Sequence, residues 1–107
     1  MIARIWHGWT TPQNADPYET LLRHEIFPGI LGRGIAGFRR IELFRADGGD
    51  ETEFITVMWF DSMAAIEAFA GADHETAVVP PKARALLKRF DSRSRHYEVR
   101  ETRGVNP

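Results

Sequence analysis

Residues 54–71 read FITVMWFDSMAAIEAFAG, and the fold is decided here. The run Glu53–Phe60 (EFITVMWF) is nearly continuous in apolar, β-branched and aromatic residues, the pattern of a strand covered on both faces. Asp61 or Ser62 then caps a helix. It runs to about Ala70 with Met63, Ile66 and Phe69 at helical spacing facing inward. Gly71 stops it.

Working outward, Asp47-Gly48-Gly49-Asp50 is a hairpin loop, and Phe38–Ala46 (FRRIELFRA) is the strand it joins. Residues 2–10 alternate and form the opening strand. Thr10-Thr11-Pro12-Gln13-Asn14 reads as a loop. Asp16-Pro17 gives a helix start, with Asp as cap and Pro at the first helical position. That helix runs to about Phe27, with Tyr18, Leu21 and Leu22 inward. Pro28-Gly29 interrupts it, and Ile30-Leu31 adds a short turn. Gly32, Gly34 and Gly37 make a flexible connection. Downstream, Pro80-Pro81 opens a short helix with Ala85, Leu86 and Leu87 apolar, and Ser94–Glu101 (SRHYEVRE) is the last strand.

The order β-α-β-β-α-β is the split βαβ, ferredoxin-like arrangement: an α+β domain with a four-stranded antiparallel sheet, order 4-1-3-2, and helices on one face. The domain spans residues 1–101; residues 102–107 are a frayed tail. The uncovered sheet face would carry Trp6, Phe44, Met58 and Phe60. An apolar patch of that kind marks an interface, so a twofold homodimer through the open sheet face is expected.

Strand alternation separates two sets of side chains. The more apolar set, Ile5, His7, Trp9, Ile41, Leu43, Val57, Trp59, Tyr97 and Val99, is expected under the helices. The mixed set, Arg4, Trp6, Arg40, Glu42, Met58 and Glu98, is expected to face the partner subunit. A one-residue bulge would reverse a face.

Bulk properties narrow the function. A chain of 107 residues makes one domain. The formal net charge of −1 predicts neither nucleic acid nor an anionic membrane surface as a partner. The absence of cysteine excludes disulfides, thiolate nucleophiles and thiolate-ligated metals. No stretch approaches the roughly 20 apolar residues of a membrane span, and the opening MIARIWHGWTT lacks a signal-peptide pattern. A soluble, cytoplasmic protein is expected. No H-x-x-x-H or H-x-H spacing, G-x-G-x-x-G, P-loop or serine-nucleophile motif occurs; neither a metal nor a cofactor is expected.

The stretch 54–71, the opening strand IARIWHGWT, the helix with Tyr18 and Leu22, and the Gly37-Phe38 step together resemble the antibiotic biosynthesis monooxygenase (ABM) superfamily, over roughly residues 1–101. The resemblance implies a dimeric α/β barrel with a pocket in each subunit between sheet and helices. Some members of that family oxygenate aromatic polyketides to quinones without metal or flavin. Others bind and degrade haem, using an Asn on the first strand, a Trp on the second helix and a His beyond it. Laid on this sequence, those positions hold His7, fall near Ala68-Phe69, and fall near Val78. His74 lies four residues early. The haem-degrading set is therefore not met, although His74 leaves haem binding as a third possibility.

What the resemblance implies for activity is a monooxygenase, independent of cofactors, acting on a small aromatic or phenolic ligand. A phenol deprotonated in a dry pocket can pass an electron to dioxygen, and the radicals recombine. His7, polar in an apolar strand and of a residue type that titrates near neutrality, is the candidate base. Tyr97 is the candidate orienting donor. Trp9 and Trp59 are candidate walls, and His74, after the second helix, a candidate lid residue. Each has a plainer alternative. His7 and Tyr97 serve as hydrogen-bonded packing, the tryptophans as filler, and His74 as a solvated loop residue. A non-catalytic ligand-binding or stress-related dimer on the same scaffold is the competing class.

Overall fold

The computed structural model describes residues 1–106. Its elements are β1 (Ile2–Thr10), α1 (Pro12–Leu21), a π-helical turn (Leu22–Ile26), α2 (Phe27–Leu31), β2 (Phe38–Asp47), β3 (Thr52–Phe60), α3 (Met63–Ala70), α4 (Pro81–Leu86), β4 (Arg89–Phe90) and β5 (Arg95–Glu98). The sheet is antiparallel throughout, in the order β2-β3-β1-β4, with β5 also on β1. This is the expected α+β, ferredoxin-like order, with helices on one face.

The region around residues 54–71 forms as its sequence dictates. The Ser62 hydroxyl accepts from the Ala65 N–H at 3.2 Å and caps α3. Gly71 ends it at φ +89°, a conformation that favours glycine. Ile66 and Phe60 are fully buried in one core cluster with Met58, Ala65 and Phe69.

The first helix differs from expectation. It starts at Pro12, not Pro17, because Thr11 caps it by accepting from the Asn14 N–H at 3.3 Å. Thr11-Pro12 carries the same cap-then-proline signal as Asp16-Pro17, and Pro17 is accommodated inside the helix on its exposed side. Nor does Pro28 break the helix. The Phe27 N–H reaches back to the Leu22 carbonyl, and this π turn inserts an extra residue into the ladder just before the proline that cannot donate.

The final strand is split. Between β4 and β5 the backbone turns to the 73–77 loop: the Ala77 N–H donates to the Ser92 carbonyl (2.9 Å), and the Ser94 N–H to the Glu75 carbonyl (2.6 Å). The Trp6 indole donates to the Asp91 carbonyl at 2.7 Å. Backbone groups engaged in this way cannot pair with β1. The tail expected over 102–107 extends to Pro107, outside the described residues.

Register overturns the assignment of faces. Arg4 is opposite Met58 and His96, and Trp6 is opposite Thr56. Ile41 and Leu43 are opposite Met58 and Thr56. All of these lie under the helices, as do Phe54 and Phe60. Ile41 and Leu43 are where they were expected. Ile5, His7, Trp9, Val57, Trp59 and Tyr97 lie on the open face with Arg40, Glu42 and Phe44, and Arg4, Trp6 and Met58 are not on it. The expectation failed because it assumed that the less charged set must lie beneath the helices. Here both faces are apolar, and the one charge taken inside, Arg4, is held by hydrogen bonds to loop carbonyls.

Candidate functional site

Two core clusters fill the layer between sheet and helices, one around Tyr18, Leu22, Phe54 and Ala83, the other around Met58, Phe60, Ile66 and Phe69. Where they meet, a narrow chamber of about 60 Å³ remains. Its floor is Arg4, Trp6, Thr56 and Met58 from the sheet. Tyr18, Leu22 and the π turn's Ile26 roof it from one side and Phe69 of α3 from the other. Val78, Val79 and Pro80 close it from the loop between α3 and α4. The wall is apolar apart from a few groups. Tyr18, edge-on to Phe54 at 4.9 Å, has its phenol pKa raised by burial and stays protonated.

Arg4 is the unusual member, 4% exposed in a wall of carbon. It donates to the His74 carbonyl, and to the Thr76 carbonyl at 3.1 Å, and lies 2.9 Å from His96 Nε2. Its guanidinium carbon sits 5.6 Å from the Phe69 ring centre. Burial pulls its pKa down to about 10. Since Arg4 can only donate, the His96 Nε2 must accept. Burial, then the charges of Arg4 and His74, hold the His96 pKa below its ordinary value, which keeps that nitrogen available. Arg4 thereby ties the 74–76 loop to the sheet beside the chamber.

The residues singled out from sequence fall elsewhere. His7, Trp9 and Tyr97 come together on the open face, around a shallow hollow of about 390 Å³ shared with Ile5, Asp91 and Arg95. There His7 Nδ1 is 2.9 Å from Glu53 Oε2, its ring stacks on Trp9 at 6.0 Å, and the Arg89 guanidinium lies over the Trp9 indole at 3.8 Å. Trp59 is on the same face but outside the hollow, donating to Glu42 Oε1 at 2.6 Å beneath Arg40. The placement of these four beneath the helices is corrected by the register. His74 is on the loop after α3, as expected, but it stands behind Arg4 rather than on the chamber wall. Its ring lies 5.4 Å from His96, and its enclosed Nδ1 has no partner among the described residues.

Sequence reasoning passes over Arg4, Trp6 and Tyr18 as site residues. A signal is present for Arg4: a cation within IARIW is as anomalous in an apolar strand as His7, and only the misjudged face hides it.

A family model, antibiotic biosynthesis monooxygenase, matches residues 9–81, well over half of the chain. The chain belongs to the ABM family. Three solved structures share the fold of this ABM protein. A Bacillus cereus protein assigned to the antibiotic biosynthesis monooxygenases is 11% identical, with 97% of each chain covered and a TM-score of 0.68. Mycobacterium tuberculosis Rv0793 is 20% identical over 96% of this chain and 98% of its own, TM-score 0.61. The haem degrader MhuD of M. tuberculosis, solved with two haems bound, is 21% identical over 97% of this chain and all of its own, TM-score 0.59. Among curated proteins, none matches the sequence.

Membership of the ABM family supports a monooxygenase-type or haem-binding role. The chamber fits haem poorly: Phe69 and Val78 line it near the positions where the haem-degrading pattern calls for Trp and His, and no imidazole is on its wall. Among the described residues, no group of three or more His, Asp or Glu could hold a metal ion, and no helix is long and apolar enough to cross a membrane.

Proposed function

We propose that this ABM protein is a cofactor-independent monooxygenase for a small phenolic substrate held in the chamber between sheet and helices. We propose also that it is a cytoplasmic homodimer whose open sheet faces cover each other. The observation that carries the first reading is the chamber itself, an apolar space with a buried phenol donor and a buried cation in its wall. A dry site of this kind strengthens every polar contact to a developing charge. Tyr18 donates to a substrate oxygen, Trp6 and Phe69 flank the ring, and the π turn shapes the roof. The free space is smaller than an aromatic ring, so the loop bearing Val78, Val79 and Pro80 swings out to admit substrate.

For an anthrone-type phenol the reaction converts one ring methylene and one dioxygen molecule into one ring carbonyl and one water. The deprotonated substrate passes an electron to dioxygen, and the radical pair joins in a C–O bond, giving a hydroperoxide once the proton returns. The O–O bond then breaks with loss of the remaining methylene hydrogen as a proton. One oxygen atom stays in the quinone and the other leaves in water, so the substrate supplies all four electrons. The protein excludes bulk solvent and holds the ring while this happens.

A second reading is favoured by one observation, the gathering of His7, Trp9 and Tyr97 around one hollow. In that reading the substrate binds at the seam between subunits, His7 takes its proton and Tyr97 orients it. Oxygen uptake with an anthrone separates the two. Filling the chamber with Val78→Trp abolishes uptake and His7→Ala leaves it intact if the chamber is the site; the reverse pattern selects the hollow. Anthrone binding without oxygen uptake returns the protein to a ligand-binding role, and a Soret band on haem titration to haem binding.

A further inference from the structure

We infer that the chamber selects ligands carrying an anionic oxygen, an aromatic carboxylate or phenolate, for which Arg4 is the counter-ion. This inference rests on the chamber being the ligand site, and deepens that reading by naming the ligand class.

Many of the other arginines are matched by a carboxylate, Arg39 with Asp61, Arg45 with Asp16, Glu19 and Asp47, Arg89 with Glu51, and Arg93 with Glu75, and those that are not, such as Arg33 on the Ala68 and Phe69 carbonyls, are exposed. All of these lie at the surface, where an ion pair contributes little. Arg4 is the reverse case. It is buried, and no carboxylate among the described residues lies within ion-pair distance of it. Its surroundings are neutral: two carbonyls, one imidazole and the face of Phe69. A cation withdrawn from water without a counter-charge is costly, and such a group persists where something else compensates it.

The geometry indicates what that is. The three contacts occupy three of the guanidinium's N–H groups. The remaining N–H groups have no partner among the described residues, and Arg4 forms part of the chamber wall. A guanidinium can present paired donors to a carboxylate or a single donor to a phenolate. Trp6, Phe69 and Met58 supply the apolar surface for the attached ring. A loop latch alone would need the carbonyl contacts; it would not need an unpaired cation facing a cavity.

The test uses matched probes and isothermal titration calorimetry at pH 7.5: 2-naphthoate, 2-naphthol and the neutral 2-naphthalenemethanol. The intact protein is expected to bind naphthoate roughly tenfold or more tighter than the neutral alcohol, the scale of one charge-assisted hydrogen bond, or to bind naphthol with the absorbance of its anion. The first outcome assigns a carboxylate, the second a phenolate. Arg4→Met should lose the preference while still binding the neutral probe, and Arg4→Lys should keep most of it. Equal binding of all three probes by the intact protein would overturn the role of Arg4 and leave the chamber standing. Binding of none would overturn both. The comparison among probes needs no variant, so it holds even if Arg4→Met fails to fold.

Discussion

Replacing Phe44 with Glu tests how the open face is covered. Phe44 lies on β2 opposite Ile55, in the row that includes His7, and is 49% exposed. A Phe side chain has about 200 Å² to bury, so roughly 100 Å² remains available to a partner. At about 25 cal/mol per Å² that is ~2.5 kcal/mol per subunit. A twofold interface uses the position twice, so the substitution removes ~5 kcal/mol of dimer stability, about three to four powers of ten in Kd. Two carboxylates brought into an apolar seam only add to this. The lone subunit, by contrast, should be little affected, because an exposed substitution of this kind changes stability by about 0.5 kcal/mol or less. Sedimentation velocity over a dilution series reads the first quantity and thermal unfolding under dissociating dilution the second. The expected result is a dimeric parent and a monomeric, folded Phe44→Glu variant. A variant that dimerises as tightly as the parent, or a parent that is monomeric at micromolar concentration, would mean that the open face is not the seam of a dimer.

Gly37→Ala should destabilise strongly, since Gly37 has φ +85° and an added Cβ would lie 2.9 Å from the Ala65 Cβ. Left-handed backbone and overpacking together cost about 2–5 kcal/mol, a Tm fall of about 10 °C or more; a fall under ~3 °C in calorimetry would contradict this. Ser62→Ala removes the cap of α3 and should cost ~1 kcal/mol, read as a Tm lower by about 4–8 °C, with an unchanged Tm counting against the cap. Because the His96 pKa is lower in the folded chain than in the unfolded one, its contribution to stability is complete above pH ~6.5 and drains as pH falls through the folded value. Urea unfolding from pH 7.5 to 5 should show that loss in the parent and a flatter profile in His96→Gln; equal slopes would remove His96 as the cause. Further acidification adds a second loss, as Asp47, Glu51, Asp61 and Glu75, held below the ordinary carboxylate range by hydrogen bonds from Arg45, Arg89, Arg39 and Arg93, become protonated.

Element type and order were legible from local pattern. Phe54–Gly71 holds a strand, a serine cap and a glycine stop, each set by its own chemistry, and β3, α3 and the sheet order follow from them. The helix boundary was not: Thr11-Pro12 and Asp16-Pro17 both qualify as starts, and the choice depends on which turn packs against the sheet. The division of the last strand was hidden too, because it depends on backbone groups of residues 91–94 bonding to the 75–77 loop, distant in sequence.

The alternation in residues 2–10 states that Ile5, His7 and Trp9 share one side and Arg4 and Trp6 the other, and nothing local can change that. Which side meets the helices is a different question, answered only when the sheet closes against its cover. Both sides of this sheet are apolar enough to be buried, so hydrophobic pattern alone cannot rank them. What decides is whether a buried guanidinium finds neutral acceptors nearby, and for Arg4 those are carbonyls some seventy residues along the chain.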